Sequence, residues 1–277
     1  MKRLIVTAIL VSGLAWPSIQ NAFAQDTVTT TTTATNVKKR REFKALSMTL
    51  SIGGDDRGKK DSTNQVNANK GKFIGGITFT RVDLGFSKLV DNGSFTLSPE
   101  NEFLDYKGGK TSTFSFDIVQ MGYRFNQHFK VYVAGGFDWT HIRLRKDITI
   151  QKNTPELTYA EDDVHFSKNR FSSSYVHIPL NFELRTSENK NGNRFYFIAG
   201  PEVSFLLNGK VKQVSDERGK QKFSDDYRFQ TFRYGGSLRF GYNGIGLFTK
   251  VYFNDMFASA PQKGLTNMSF GLTFGLN

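Results

Sequence analysis

The sequence contains no cysteine, and beyond about residue 24 it has no apolar run near the ~18 residues that a transmembrane helix requires. Without thiols there is no disulfide framework and no cysteine for a lipid anchor. Proline (6), histidine (4) and tryptophan (2) are also scarce. No phosphate-binding loop, dinucleotide fingerprint or zinc-ligand spacing occurs. These absences argue against a helical membrane protein and predict no cofactor.

Glycine and phenylalanine are abundant (26 and 27 residues), aromatic residues make up 14% of the chain, and mean hydropathy is nevertheless −0.42. Strands that alternate apolar and polar residues produce this combination, because the polar half of each strand hides the apolar half in the average.

The first residues have the order of a secretory signal peptide. Lys2 and Arg3 precede an apolar stretch from Leu4 to about Trp16, and Ala22 and Ala24 supply the small residues of a cleavage site. We therefore predict a signal peptide over 1–24 and a mature chain beginning near Gln25. A flexible, Thr-rich and basic periplasmic tail is expected over 25–42 and a pre-barrel segment over 43–72.

From residue 73 onward the chain alternates in polarity. Between Tyr175 and Arg185 the apolar side chains are Val176, Ile178, Leu180, Phe182 and Leu184, and polar residues stand between them. Strict alternation over ten residues predicts a strand with one apolar and one polar face. Pro179 lies inside this strand, and we expect a bulge there because proline cannot donate to the ladder.

Similar segments predict eight strands, at 73–88, 112–125, 129–145, 171–186, 194–208, 228–242, 245–254 and 267–277. If residues 43–53 and 94–104 also form strands, the number rises to ten. Both numbers are even, so both chain ends fall on one side of a membrane.

Three features favour a membrane barrel over a soluble sandwich, which is the alternative fold. The apolar stretches are ~9–11 residues long, as a tilted membrane-crossing strand requires. Tight turns alternate with long polar links at 146–170, 209–227 and 255–266. The polar faces also carry full charges, which a sandwich core would not tolerate. The predicted fold is all-β, a closed antiparallel transmembrane β-barrel over 73–277.

Charged residues on the faces opposite the lipid form a predicted lumen network. Its acids are Asp83, Asp117, Asp138, Glu183 and Glu202, and its bases are Arg81, Arg185, Arg233, Arg239 and Lys250. An eight-stranded barrel is just wide enough to be filled by side chains, so opposite charges are expected to pair there. A packed polar core is the main interpretation, and a narrow ion path is the alternative.

Other chemistry has weak signals. His177 near Ser172, Ser173 and Ser174 lacks a third orienting group, so we predict no catalytic site. Glu161, Asp162, Asp163 and His165 resemble calcium ligands but fit no known loop spacing, so we predict no metal. Tyr132, Phe137, Trp139, Tyr196, Tyr234, Tyr242 and Tyr252 are interpreted as interfacial girdles on the outer surface.

The strand Tyr175-Val176-His177-Ile178-Pro179-Leu180-Asn181-Phe182-Glu183-Leu184 resembles a strand motif of the PorT-like outer-membrane barrel proteins of Bacteroidota. The segments Phe197–Leu207, Phe232–Gly236, Arg239–Tyr242 and Phe270–Leu276 are similar to further strands of that family. The resemblance covers roughly 73–277 and implies an eight- to ten-stranded barrel in the outer membrane. It implies little about activity, because the family is defined by its fold.

We therefore expect an exported, integral outer-membrane protein with a structural or interaction role at the cell surface, and not an enzyme. A narrow pore and a lipid-modifying enzyme are the alternatives. The net charge of +12 favours contact with outer-membrane lipid, including lipopolysaccharide phosphate, over nucleic acid. A protein partner at the surface or in the periplasm is also expected.

Overall fold

The computed structural model describes residues 71–275. Within this range, strands alternate with turns and short 3-10 helices. The strands are β1 (Lys72–Asp91), β2 (Ser112–Arg124), β3 (Phe129–Arg143), β4 (Ile148–Ile150), β5 (Tyr159–Glu161), β6 (Lys168–Arg185), β7 (Phe195–Ser215), β8 (Gly219–Asp225), β9 (Phe232–Tyr242), β10 (Ile245–Tyr252) and β11 (Leu265–Gly275). The 3-10 helices are Pro99–Leu104, Gly108–Lys110 and Ala260–Gln262.

Eight of these strands form a closed antiparallel ring in the order β6, β3, β2, β1, β11, β10, β9, β7, and β7 pairs back with β6. The first and last strands of the ring meet along a register from Arg81–Gly275 to Asp91–Leu265. Strand β8 pairs with the far end of β7, and β4 with β5 forms a separate hairpin. The predicted eight-stranded barrel is therefore confirmed.

The strand alternation places polar residues inside and apolar residues outside. In β3, for example, Lys130 and Asp138 are buried within the ring, whereas Val133 is 42% exposed on its outer surface. A soluble protein would have its apolar residues inside, whereas apolar residues on the outer surface are typical of a barrel wall that faces lipid. No helix in the described part of the chain is long and apolar enough to cross a membrane.

The two ends of the barrel differ. Short connections at 125–128, 186–194 and 243–244 lie at one end, together with the start of β1 and the end of β11. Asn243 and Gly244 both have positive φ (48° and 87°), as the tightest two-residue hairpins require. The long connections 92–111, 144–167, 216–231 and 253–264 lie at the other end. In outer-membrane barrels the short turns face the periplasm and the long loops face outward.

The long loops fold into a compact apolar cluster that covers the external end, which we call the cap. Loop residues of the cap include Leu104, Ile148, Phe229, Met256 and Phe257, all at most 2% exposed. They pack on the strand ends at Leu89, Ile142, Phe171, Val211 and Leu265, each at most 1% exposed. The external opening of the ring is therefore filled by a hydrophobic core like that of a water-soluble protein.

The apolar outer surface has the height of a bilayer core. On β7 the outward apolar run extends from Phe195 to Leu207, and its residues are partly exposed, up to 54% at Leu207. Twelve steps of ~3.3 Å at a tilt of ~45° rise ~28 Å, close to the ~25 Å apolar band of such barrels. Because β7 has 21 residues and β6 has 18, their external ends project beyond this band.

The ten-strand alternative is wrong, because residues 94–104 do not form a strand and Pro99–Leu104 is a 3-10 helix. The expected bulge at Pro179 was also wrong. The pairs Val133–Leu180 and Gly136–His177 flank an interruption in the ladder with the same register on both sides. The predicted signal peptide (1–24), the tail (25–42), the segment 43–53 and nearly all of the pre-barrel segment 43–72 lie outside the described residues.

Candidate functional site in the barrel interior

The ten charged residues predicted for the lumen all project into the ring. Nine of them are buried, and Arg185, near the periplasmic end, keeps 22% of its side chain exposed. They do not form one continuous network. The structure divides them into a central cluster, separate ion pairs and two arginines that lie over aromatic rings.

Lys250 is the centre of the interior. Its ammonium lies 2.9 Å from a carboxylate oxygen of Glu202 and 3.1 Å from one of Asp138. The Tyr252 hydroxyl lies 2.9 Å from Asp138 and 3.1 Å from Glu202, so its single proton can be donated to either of the two acids. One cation thus serves two carboxylates at full burial, where an unpaired charge would cost several kcal/mol.

His177 connects this cluster to Asp117. Its Nε2 lies 2.7 Å from the Asp117 carboxylate, and its Nδ1 lies 3.4 Å from the Lys250 ammonium. A carboxylate only accepts and an ammonium only donates, so these contacts assign Nε2 as the donor and Nδ1 as the acceptor. The histidine therefore links an acid on β2 to a base on β10.

Asp83 and Arg239 form a separate buried pair. The Arg239 guanidinium donates from its terminal nitrogen at 2.8 Å and from Nε at 3.2 Å to one carboxylate oxygen. Ser237 accepts a further hydrogen bond from Arg239 at 3.2 Å. Because β1 carries Asp83 and β9 carries Arg239, the pair spans the lumen between strands that are not neighbours in the ring.

Arg233 and Arg81 both lie over aromatic rings, and Arg233 also donates a hydrogen bond to Asn267 at 3.2 Å. The Arg233 guanidinium carbon lies 3.6 Å from the centre of the Tyr175 ring and 3.9 Å from that of Tyr252. Arg81 lies 5.5 Å from the ring centre of Tyr196. In the described chain neither arginine forms an ion pair within 4 Å. Cation–π contacts in such a desolvated site contribute on the order of 2 kcal/mol.

The periplasmic mouth is open. Glu183 pairs there with Lys130 at 3.0 Å and with Arg185. These residues line a vestibule of about 500 Å³ together with Arg124, His128 and Arg194. The interior therefore has a polar cavity at the periplasmic end, is packed in the middle and is apolar under the external loops.

Several interior residues were not anticipated. Lys130 has the same parity on β3 as Asp138, so the alternation alone could have identified it. Tyr132, Tyr196 and Tyr252 were assigned to outer girdles, but all three are buried inside the barrel. Alternation places Tyr252 with Lys250, and this signal could have corrected the assignment. Tyr234 and Tyr242 do face outward, at 46% and 38% exposure.

The central cluster also has a possible metal-ligand set. Asp138, His177 and Glu202 each offer one ligand atom, and these atoms lie within 4.8 Å of one another. The Lys250 ammonium already lies between the two carboxylates. The Lys250 ammonium therefore occupies the position between the two carboxylates that a metal ion would take.

The other chemical candidates are also occupied structurally. Asp162 accepts from Thr149 at 2.5 Å and from Arg218 at 2.6 Å, and His165 contacts Asp147 at 2.8 Å. Burial acts to raise the pKa of Asp147. The Phe166 amide and His165 outweigh it and hold that pKa below its ordinary value. These contacts fold the β3–β6 loop and engage Asp162 and His165, two of the four candidate calcium ligands.

The serines near His177 do not form a catalytic pair with it. Ser172 and Ser174 lie on the outer wall, whereas Ser173 and His177 are inside, separated by the register shift at Ser174/Tyr175. In the part of the chain that the structure describes, His177 makes no hydrogen bond to any of the three serines. At 0% exposure, its imidazole is also inaccessible from the bilayer.

A closed ring with an apolar belt, a charged interior and one end of long loops defines a transmembrane β-barrel of the outer-membrane class. The chain belongs to the outer membrane protein beta-barrel domain family, whose model matches residues 72–277. No curated protein has a matching sequence.

Among solved structures, two of Ail, the attachment invasion locus protein of Yersinia pestis, are similar to this chain. One is Ail alone (14% identity, TM-score 0.31), and the other is its complex with the heparin analogue sucrose octasulfate (13% identity, TM-score 0.30). Both alignments cover 74% of this chain and 97% of Ail.

Proposed function

We propose that this protein is a sealed outer-membrane barrel that presents its external loops as an ordered surface for interaction. The observation that carries the proposal is the double closure of its lumen. The cap fills the external opening, and the ion pairs around Lys250 and Arg239 fill the middle. Little is left of a through-path, while the loops above are held in one conformation.

The loops are ordered by specific contacts between them. The Leu157 amide donates to Ser259 at 3.0 Å, and the Asn153 amide donates to Asp225 at 2.8 Å. Each bond joins two different long connections. Such cross-linking pre-organises the loops, which favours their use as a recognition surface.

Two finer aspects of the proposal rest on the sequence. The order of residues 1–24 supports export by a signal peptide, and the strand motifs near Tyr175 and Phe197 support membership of the PorT-like group. The expected partners are outer-membrane lipid, including lipopolysaccharide, and a protein at the surface or in the periplasm. We propose no enzymatic activity, because His177 is enclosed in the lumen away from any lipid.

Conductance across a planar bilayer tests the sealed barrel against the narrow pore. We expect purified, folded protein to insert without discrete conductance steps, while a 16-stranded porin gives them in the same bilayers. Heat-modifiable gel mobility verifies that the sample is folded. Reproducible steps that change in the Arg233→Gln or Glu183→Gln variant would establish the pore and refute the proposal.

A further inference from the structure

The outer wall of the barrel carries a concentrated basic surface at its external end. Strands β3, β6, β7 and β8 are neighbours there, and their outward residues stand in register across the sheet. One row consists of Arg143, Arg170, Lys212 and Lys222. With Lys168, Lys210 and Lys220 from the adjoining positions, these residues form what we call the basic wall.

The basic wall begins where the lipid-facing surface ends. Below it, Phe137, Val176, Phe205 and Phe232 form an apolar row across β3, β6, β7 and β9. Next comes Trp139, stacked on Phe114 at 5.6 Å between ring centres, as expected for an interfacial girdle. One step above lie His141, Ser172 and Lys210, and then the cationic row. The charges therefore stand at headgroup height, outside the apolar band.

The cations of this surface are not neutralised by the protein. In residues 71–275 none of the seven forms an ion pair, and the facing positions on these strands carry no carboxylate. Burial and the neighbouring cations Lys168, Lys220, Arg170 and Lys222 lower the pKa of Lys212. Like charges directly opposite each other destabilise a sheet. An anion bound from outside would remove this cost.

A groove at the lower edge of the basic wall contains polar atoms without partners. It has a volume of about 350 Å³, and Trp139, His141, Arg170, Ser172 and Lys210 are among its lining residues. Ser172 is 7% exposed, and its hydroxyl has no hydrogen-bond partner in the described structure. The same is true of Nδ1 of His141 and Nε of Arg170. Buried polar atoms are usually satisfied, so these atoms point to an external ligand.

We propose that the basic wall binds the phosphate groups of lipopolysaccharide in the outer leaflet, with the acyl chains lying along the apolar wall below Trp139. This inference rests on the proposed outer-membrane function and assigns the lipid partner a site. Arg170 and Lys212 are the central phosphate ligands, because each is flanked in the row by a cation on both sides. The groove receives a polar part of the sugar headgroup.

The position of the basic wall favours a lipid over other anions. A soluble polyanion would be met best by the tips of the loops. These cations instead stand on the strand walls directly above the girdle, where a lipid headgroup is held by its own acyl chains. Continuity of an apolar surface with a cationic one fits a molecule that is apolar at one end and phosphorylated at the other.

The test compares binding of lipid A with binding of the same lipid after phosphate removal, using the folded full-length mature protein in detergent and native mass spectrometry. We expect Arg170→Gln/Lys212→Gln to weaken lipid A binding about tenfold, which corresponds to about 1.4 kcal/mol. Lys110→Gln/Lys263→Gln removes two exposed loop cations and is the matched control, expected to bind as the wild type does. A second variant, Lys212→Gln/Lys222→Gln, keeps the partly buried Arg170 and so controls for misfolding caused by its replacement.

Each outcome bears on the proposal. Weakening in both wall variants, together with poor binding of the dephosphorylated lipid, supports it. Equal binding by wild type and wall variants overturns it, as does equal binding of the two lipids. Displacement of lipid A by millimolar inorganic phosphate would replace the lipid site with a small-anion site. Conductance is measured on the same samples, so failure of the sealed barrel would be seen separately.

Discussion

At the scale of single residues, Lys250 shows how a polar interior is stabilised. It supplies the positive charge between Asp138 and Glu202, while Tyr252 and His177 complete the surrounding hydrogen bonds. Removing one partner from such a cluster leaves buried charges uncompensated, which costs about 3–5 kcal/mol. The cluster therefore depends on one ammonium group.

Replacing Lys250 with alanine should destabilise the barrel strongly and expose a metal-binding set. We expect Lys250→Ala to unfold at a markedly lower temperature on heat-modifiability gels than the exposed-site control Lys263→Ala. Because Asp138, His177 and Glu202 offer the mixed oxygen and nitrogen ligands that zinc accepts, added zinc should recover part of the loss. Zinc should have no such effect in Lys250→Ala/Asp138→Asn. Wild-type stability of Lys250→Ala would show that the cluster is not central.

The sequence predicts which residues face inward but not how they pair. Alternation along one strand placed Glu202 and Lys250 in the lumen, since parity is a local property. The bond between them joins residues 48 positions apart and depends on strand tilt and stagger, which no single strand reveals. Arg233 was expected to pair with an acid. Instead it lies between Tyr175 of β6 and Tyr252 of the neighbouring strand β10, and Tyr252 had been assigned to the outer surface.

At the scale of elements, the connection between β1 and β2 shows why loop structure was harder to predict than the strands. Residues 94–104 have an apolar alternation that resembles a strand, yet they form a loop with a 3-10 helix. Asp91 is the reason, because it accepts hydrogen bonds from the Ser98 amide at 2.8 Å, the Ser98 hydroxyl at 2.7 Å and the Asn101 amide group at 2.9 Å. One side chain thus folds the chain back at the end of β1.

Asp91 should make the order of this loop depend on pH. It lies above the apolar band. Burial acts to raise its pKa, but the hydrogen bonds from Ser98, Asn101 and Asn92 hold that pKa below its ordinary value. A lowered carboxyl pKa stabilises the fold above the unfolded value of ~3.9, and this stability is lost as pH falls through the folded value. The amide-proton shift of Ser98 should therefore titrate with a midpoint below ~3.9.

The Asp91→Ala variant provides the companion measurement at neutral pH. It should admit trypsin at Lys107 and Lys110 while the barrel remains uncut, because hydrogen bonds to a charged group contribute about 1.5–3 kcal/mol each. Asp91→Asn keeps one acceptor oxygen and should lie between alanine and wild type. Unchanged cleavage in Asp91→Ala would mean that the cap, and not this carboxylate, orders the loop.

At the scale of the whole molecule, closure of the ring depends on a close contact between its first and last strands. Gly85 and Gly271 are directly paired across β1 and β11. A Cβ at Gly85 would collide with the Phe270 carbonyl oxygen, and one at Gly271 would collide with that of Leu84. Both positions therefore require glycine for close approach of the two backbones.

Valine at Gly271 should hinder closure of the barrel. Overpacking of this kind costs about 1–3 kcal/mol, and here the cost is concentrated at the seam that completes the ring. We expect Gly271→Val to reduce the fraction of protein that migrates as the compact unboiled form after refolding in detergent. Gly108→Ala is the control, because nothing lies within 4 Å of a Cβ at that loop position. Equal folded fractions in both variants would contradict the claim that close approach of β1 and β11 at Gly271 is required for closure of the ring.

The strand count and the ring were within reach of the sequence because lipid imposes a strict period-2 pattern on every strand. The cap was not, because it is assembled from five strand ends and four separate loops. Met256 and Phe257 stand in a connection that looked merely polar, and only the closed ring brings them over Phe171. Because the contacts of these side chains are distant in sequence, they produce no local periodicity from which the cap could be predicted.

The cap differs from the lipid-facing wall in its surroundings, because it lies outside the membrane and is in contact with water. Within the bilayer, unfolding would not expose the belt to water, so that surface contributes little to the heat capacity of unfolding. The cap buries its phenylalanines, leucines and isoleucines away from water itself, and burial of that kind is the source of a large positive heat-capacity change. The curvature of stability with temperature is therefore set by the part of the molecule outside the membrane, and cooling weakens the loops before it weakens the wall.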